Sequence, residues 1–162
     1  MIRELEKRDH NAVCDIVNRN WRSVYNGFVD PLLLNDKGCA ERSRELTADF
    51  TSGRLTERVC EEDGTVIGMI SFGKTDETDF PNAFEIWRLY VTENAQGRGI
   101  GGELLDYAEK YAVTHGYAKV FIWAFKENAR AVTFYRQHGY IADKEVYLED
   151  YKAVGKKQTK KL

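Results

Sequence analysis

The chain has 162 residues, 43% hydrophobic and 31% charged, with 24 basic against 26 acidic side chains and a net charge of −2. That balance suits one domain over residues 1–162 with a sizeable core. It lacks the basic excess of a nucleic-acid binder and the run of ~20 apolar residues that spans a membrane.

The start MIRELEKRDH is charged from its third residue, unlike a secretory leader, so a cytoplasmic location is expected. Cys14, Cys39 and Cys60 are far apart, as are His10, His115 and His138. Neither set has zinc spacing or forms an obvious disulfide framework, and no metal is expected.

Ile2 to Leu5 reads as a short first strand. Asp9 then caps a helix with Ala12, Val13, Ile16, Val17 and Trp21 at helical spacing, broken by Asn26-Gly27. A loop holding Pro31 leads to a second helix that starts near Asp36, carries Leu46 and Phe50, and stops at Ser52-Gly53. Arg54 to Glu61 and Val66 to Lys74 read as strands joined by Glu62-Asp63-Gly64, a hairpin signal. Thr75 to Asn82 is a polar loop with three acids and Pro81, and Ala83 to Val91 is the third strand of this meander. Gly99 to His115 is the third helix, stopped by Gly116.

Val120 to Phe125 is a continuous apolar run, as for a strand buried on both faces. It is expected to lie parallel to 85–91 through a right-handed crossover. Asn128 caps a fourth helix, Ala129 to His138. Tyr140 to Ala142 and Val146 to Leu148 form a sixth strand. The lysine-rich tail GKKQTKKL is expected as a solvated edge strand, a seventh in the sheet, or as a frayed end.

The stretch most able to carry function is Glu85 to Gly102, EIWRLYVTENAQGRGIGG. It is a strand, a glycine-rich turn and a helix start. Glycines there let a ligand approach the backbone, and the free N–H groups of a helix N-terminus favour phosphate. Two ligand classes fit. Gly97-x-Gly99-x-x-Gly102 matches the dinucleotide fingerprint, with Glu127 about 25 residues on as the ribose-binding acid. The same letters give Gln96-x-x-Gly99-x-Gly101. Element order separates the two. A dinucleotide fold places its fingerprint near the start and follows it with several βα units, whereas here a meander precedes the turn and little follows it.

Gln96-x-x-Gly99-x-Gly101 resembles the pyrophosphate loop of the GNAT superfamily, the acyl-coenzyme A dependent N-acyltransferases. Asn128-Ala-Arg-Ala-Val-Thr-Phe-Tyr-Arg-Gln-His-Gly-Tyr140 is similar to that family's later segment N-x-x-A…F-Y-x-x-x-G-F/Y. The resemblance spans most of the chain. It implies an α/β (α+β) GNAT fold: a mixed, mostly antiparallel sheet of six or seven strands with a splayed parallel pair, flanked by four helices. It also implies transfer of acetyl from acetyl-coenzyme A to a primary amine.

The resemblance assigns cofactor contacts to Leu89, Val91, Gln96, Gly97, Arg98, Gly99, Ile100, Gly101, Asn128 and Tyr135. Leu89's amide is aimed at the thioester carbonyl, where it would meet the developing oxyanion. Tyr135 lies near the sulfur as the acid that protonates the thiolate. Asn128 and Tyr135 are two helical turns apart on one face, ~10 Å along the axis, so both can address one elongated ligand. Glu85 is the candidate base, directly or through water. If the strand is regular, Glu85, Trp87, Leu89 and Val91 share one face. In the family a bulge at this place opens the strand from its parallel neighbour.

Arg98, Lys126 and Arg130 are candidates to neutralise phosphates. No cysteine falls near the acetyl position, which favours direct attack in a ternary complex over an acyl-cysteine route. Trp21 and Tyr25, in Asn20-Trp21-Arg22-x-x-Tyr25-x-Gly27, resemble the acceptor-side segment of small-molecule members, and aromatic faces can hold an ammonium. The acids Asp76, Glu77 and Asp79 could attract a polyamine. Small amines, amino acids and protein N-termini or lysines stay open as acceptors, as does a homodimer. From other classes, a non-catalytic acyl-coenzyme A sensor and a nicotinamide-dinucleotide protein are the alternatives.

Overall fold

In the computed structural model, which describes residues 1–80 and 82–162, the elements follow the order β1 (Ile2–Glu4), α1 (His10–Val24), α2 (Asp36–Ser52), β2 (Thr56–Glu62), β3 (Thr65–Lys74) and β4 (Phe84–Val91). They continue with α3 (Ile100–Thr114), β5 (Lys119–Phe125), α4 (Ala129–Gln137), β6 (Ile141–Leu148) and β7 (Ala153–Lys161). The expected loop residue Pro81 lies outside the described residues. Among those residues, no helix is long and apolar enough to cross a membrane.

Local chemistry accounts for the element ends. Asn35 caps α2 by accepting from the Gly38 N–H at 2.8 Å, and Gly53 ends the helix in a left-handed conformation. Asp63 and Gly64, both at positive φ, make the β2–β3 hairpin turn. Asp9 precedes α1 but does not cap it with its side chain. Its carboxylate accepts instead from Arg3 Nη1 at 2.7 Å and Nη2 at 2.9 Å, tying β1 to the helix start.

The seven strands form one sheet in the order β1-β2-β3-β4-β5-β7-β6. Every neighbouring pair is antiparallel except β4 and β5. One face packs Ile70, Phe72, Phe84 and Ile86 against Leu104, Leu105 and Ala108 of α3 and Tyr135 of α4. The other packs Val59 and Met69 against Val13, Ile16 and Val17 of α1 and Leu46 of α2.

Two features of this sheet place the site. The parallel pair is joined only through Phe84↔Val120, Glu85↔Phe121 and Ile86↔Ile122. Beyond Ile86, β4 stays with β3 as far as Val91↔Gly68, while β5 stays with β7 as far as Phe125↔Gly155, so the two diverge. The divergence begins at a bulge. Ser71 pairs with Arg88 and Phe72 with Ile86, which leaves Trp87 as the extra residue.

The bulge corrects the expected face of β4. Leu89 and Val91 pack on the α3–α4 side, whereas Arg88 turns to Asp49 of α2 and Tyr90 joins the α1–α2 core. Glu85 alternates with Phe84 and Ile86 and lies on the α1–α2 side. Glu85 and Leu89, four residues apart, therefore face opposite ways, because one inserted residue reverses the alternation.

The tail is the second correction. It forms β7, which lies inside the sheet between β5 and β6, with Lys157 and Gln158 buried. The sheet's edge on this side is β6, a single strand with an irregularity between Ala142 and Lys144.

Candidate active site

The divergence of β4 and β5 opens a cleft of about 740 Å³ on the sheet edge they no longer share. Leu89 and Val91 form one wall, Ile122 and Ala124 the other, and α4 contributes Asn128, Ala131 and Tyr135. Thr92 gives its N–H across to Ile67 of β3 at 2.9 Å. By strand alternation, the N–H and C=O groups of Leu89 and Val91 then point into the opening.

The mouth of the cleft is the glycine turn. Gly97 and Gly99 stand at φ 77° and 86°, and a Cβ at either would meet nothing within 4 Å. These two glycines are required by backbone conformation, and they leave free room above the turn. Gly99 is the N-cap of α3 and has no side chain to satisfy the first N–H groups, which stay free for an anion. Gly101 and Gly102 serve differently. A Cβ there would lie 3.4 Å from Phe134 and 3.1 Å from His138, so these glycines let α4 approach α3.

Gln96 braces the turn. Its Nε2 donates to the Val91 carbonyl at 3.1 Å, and its Oε1 accepts from Arg130 Nη1. Asn128 accepts from the Ala131 N–H at 3.2 Å and caps α4. Tyr135 is buried in the cleft wall, and burial, with Tyr90 nearby, holds its phenol well above the ordinary range. Leu89, Val91, Gln96, Gly97, Gly99, Gly101, Asn128, Tyr135 and Tyr25 are thus brought together around one opening.

The other expected site residues fall elsewhere. Arg98 pairs with Glu62 and Lys126 with Glu145, and neither side chain lines the cleft. Ile100 is buried in the core under α3. Trp21 lines a second cleft of about 680 Å³, between α1, α2 and β4. Its Nε1 donates to the Tyr90 hydroxyl at 3.0 Å, and the Arg42 guanidinium lies 3.8 Å from its ring centroid. The loop acids expected to draw a polyamine are engaged in part, Asp76 by Arg54 and Glu77 by Lys157.

Glu85 lines neither cleft. It is 7% exposed, accepts from the Thr75 hydroxyl at 2.9 Å, and is pushed up to about 7. Burial is the main cause, and Glu77 and Asp76 add to it.

Sequence reasoning missed Arg88 and Tyr90. Together with Trp87 they line both clefts, so the two cavities meet at the bulge. Arg88 is held by Asp49 at 2.7 Å, and Asp49 also receives Arg54 at 3.1 Å. Trp123 was hidden in the apolar run of β5. Its neighbours Ile122 and Ala124 pack toward α4, while its own indole donates to Glu77 at 2.6 Å.

The sheet is splayed at its parallel pair, with the glycine-capped start of α3 at the mouth of the splay and a second cavity beside it. Residues 13–140 match the Acetyltransferase (GNAT) family, and the chain belongs to it. It is 31% identical to the Mycobacterium tuberculosis protein named Probable N-acetyltransferase Rv2775, over 76% of this chain and 69% of that one. The fold is also that of PaiA N-acetyltransferase from Thermoplasma acidophilum, solved in complex with coenzyme A (TM-score 0.77, 20% identity, 100% and 98% of the two chains). It is shared by YncA from Salmonella typhimurium, solved with its cofactor acetyl-CoA (TM-score 0.73, 23% identity, 100% and 93% of the two chains). The protein is an acyltransferase of this family, and its topology sets the dinucleotide alternative aside.

Proposed function

We propose that this enzyme, acting as one cytoplasmic domain, transfers the acetyl group of acetyl-coenzyme A to a primary amine by direct attack in a ternary complex. The observation that carries the reading is the continuous path from the Gly97–Gly99 turn, along the opened edge of β4, to Tyr135. The free N–H groups at the start of α3 take the pyrophosphate, and the turn's open space admits it. The Leu89 backbone and the Val91 N–H pair with the pantetheine arm, and the Leu89 N–H meets the thioester carbonyl as its oxygen gains charge. Arg130, beside Gln96 at the mouth, supplies positive charge to the phosphates.

The acceptor enters from the second cleft and meets the thioester at Trp87, Arg88 and Tyr90, with Trp21 and Tyr25 flanking it. An amine of pKa ~10 is mostly protonated at pH 7 and attacks only after losing a proton. Glu85 takes that proton through water, since its carboxylate lies outside both clefts. The nitrogen attacks the thioester carbon, the C–N bond forms and the C–S bond breaks. The departing thiolate receives its proton from Tyr135, and the second proton that the nitrogen sheds on becoming an amide restores the phenol. Burial weakens Tyr135 as an acid, and the transfer relies on the thiolate also losing solvation where it is released beside the phenol, which raises its basicity. Among the described residues, no cysteine lines either cleft, in keeping with direct attack. All three cysteines are free, which suits a reducing compartment.

Calorimetric titration with acetyl-coenzyme A beside NAD tests the cosubstrate. Micromolar binding of the first alone, weakened by Gly99→Glu, is expected. A panel of small amines, amino acids and peptides, read by thiol release, then tests turnover. Binding without turnover on any of them would replace the enzyme reading with that of an acyl-coenzyme A sensor.

A further inference from the structure

Lys157 is 1% exposed, although it sits in a lysine-rich tail. Its ammonium lies 3.8 Å from the Phe80 ring centroid and 4.0 Å from that of Phe121, and it is paired with Glu77. The other oxygen of Glu77 accepts from Trp123 Nε1 at 2.6 Å. Phe121 is the β5 register partner of Glu85. The Thr75 hydroxyl, which donates to Glu85, also accepts the Glu77 N–H at 3.0 Å. A short chain of contacts therefore runs from Glu85 through Thr75 and Glu77 to Lys157, and it folds the segment 75–80 over the carboxylate.

Burying a lysine is costly, and an apolar side chain in the same aromatic cage would hold the segment at less cost. The charge itself therefore calls for a use. The groups acting on Glu85 are Asp76 and Glu77 from the segment and Lys157 from β7. Asp76 is offset by Arg54 at 3.3 Å. Farther along the same sheet face, Arg88 is taken by Asp49, and Glu57 accepts from Ser71. The Glu77–Lys157 pair is thus the nearby element able to push Glu85 in either direction.

We propose that Glu77 and Lys157 are positioning residues for Glu85, a pair with its ammonium buried and its carboxylate partly exposed, which holds the segment 75–80 over Glu85 and pulls its proton affinity in opposite directions. The inference rests on the reading of Glu85 as the base. The aromatic cage fixes the ammonium, and the Trp123 indole fixes the carboxylate, so each charge stays at a set place relative to Glu85.

The test is a pH titration of the protein carrying 13C-labelled glutamate carboxyls, with Glu85→Gln used to assign the Glu85 signal. This needs no acceptor, so it stands apart from whether Glu85 is the base. Lys157→Met keeps an apolar stem in the cage and is expected to raise the Glu85 midpoint by about 0.5 unit or more. Glu77→Gln is expected to lower it by a similar amount, and it keeps the test decisive if Lys157→Met does not fold. Opposite shifts support the proposal. An unmoved midpoint, or movement of both variants in one direction, would reduce the pair to a structural fastening and overturn it.

Discussion

Gln96 and Val91 are joined across the glycine turn: the Gln96 side-chain amide donates to the Val91 carbonyl at 3.1 Å while its oxygen accepts from Arg130. One side chain thereby couples the end of β4 to the start of α4 and sets the width of the cleft mouth. Gln96→Ala removes both bonds. Each is worth about 1 kcal/mol, and loss of turn order is expected to weaken acetyl-coenzyme A binding roughly tenfold. Calorimetry on the variant checks this, and an unchanged Kd would show that the turn holds its shape without Gln96.

Tyr135→Phe keeps the ring in the cleft wall and removes only the proton. Turnover is expected to fall on the order of 10²-fold, with the affinity for acetyl-coenzyme A nearly unchanged. Steady-state kinetics beside calorimetry separates the two effects. Full turnover in the variant would remove Tyr135 as the acid.

Glu85 carries two consequences of being pushed up to about 7. As a base it works only when ionised, so activity is expected to fall as pH drops through about 7, and Glu85→Gln is expected to lose that limb at much reduced rate. For stability the sign is opposite. The folded state holds the proton more tightly than the unfolded chain, so this contribution is full below pH 4.5 and is lost as pH rises through 7. Glu85→Gln, which cannot ionise, is therefore expected to gain on the native protein at pH 8, on the order of 2–3 kcal/mol, and little at pH 5. Thermal melts at the two pH values decide it, and equal gaps would contradict the burial argument.

Asp49 receives both Arg54 and Arg88 in the wall of the second cleft. Asp49→Ala leaves the partly buried Arg88 without its partner. A loss on the order of 3 kcal/mol is expected, or roughly 6–12 °C in Tm. Since Arg88 lines both cavities, the KM for the amine is expected to rise more than that for acetyl-coenzyme A. Equal changes in the two would place Arg88 outside the acceptor path.

The glycine turn and the face of α4 were legible in the sequence because both are local. Positive φ at Gly97 and Gly99 and the spacing of Asn128, Ala131 and Tyr135 follow from a few consecutive residues. The order of strands and helices was legible for the same reason, through periodicity, caps and hairpin chemistry, and that order distinguished an acetyltransferase from a dinucleotide fold.

What only the tertiary structure decided depends on partners distant in sequence. The bulge at Trp87 is a matter of register against β3, and it alone turns Glu85 away from Leu89 and sets Arg88 and Tyr90 where the two clefts meet. The lysine-rich tail reads as solvent-facing because charge normally costs too much to bury. Lys157 is buried all the same, because Glu77, 80 residues earlier, neutralises it and the rings of Phe80 and Phe121 enclose it. Composition and spacing could specify the elements and the glycine turn, but which charges may leave water is settled by what the folded chain brings beside them.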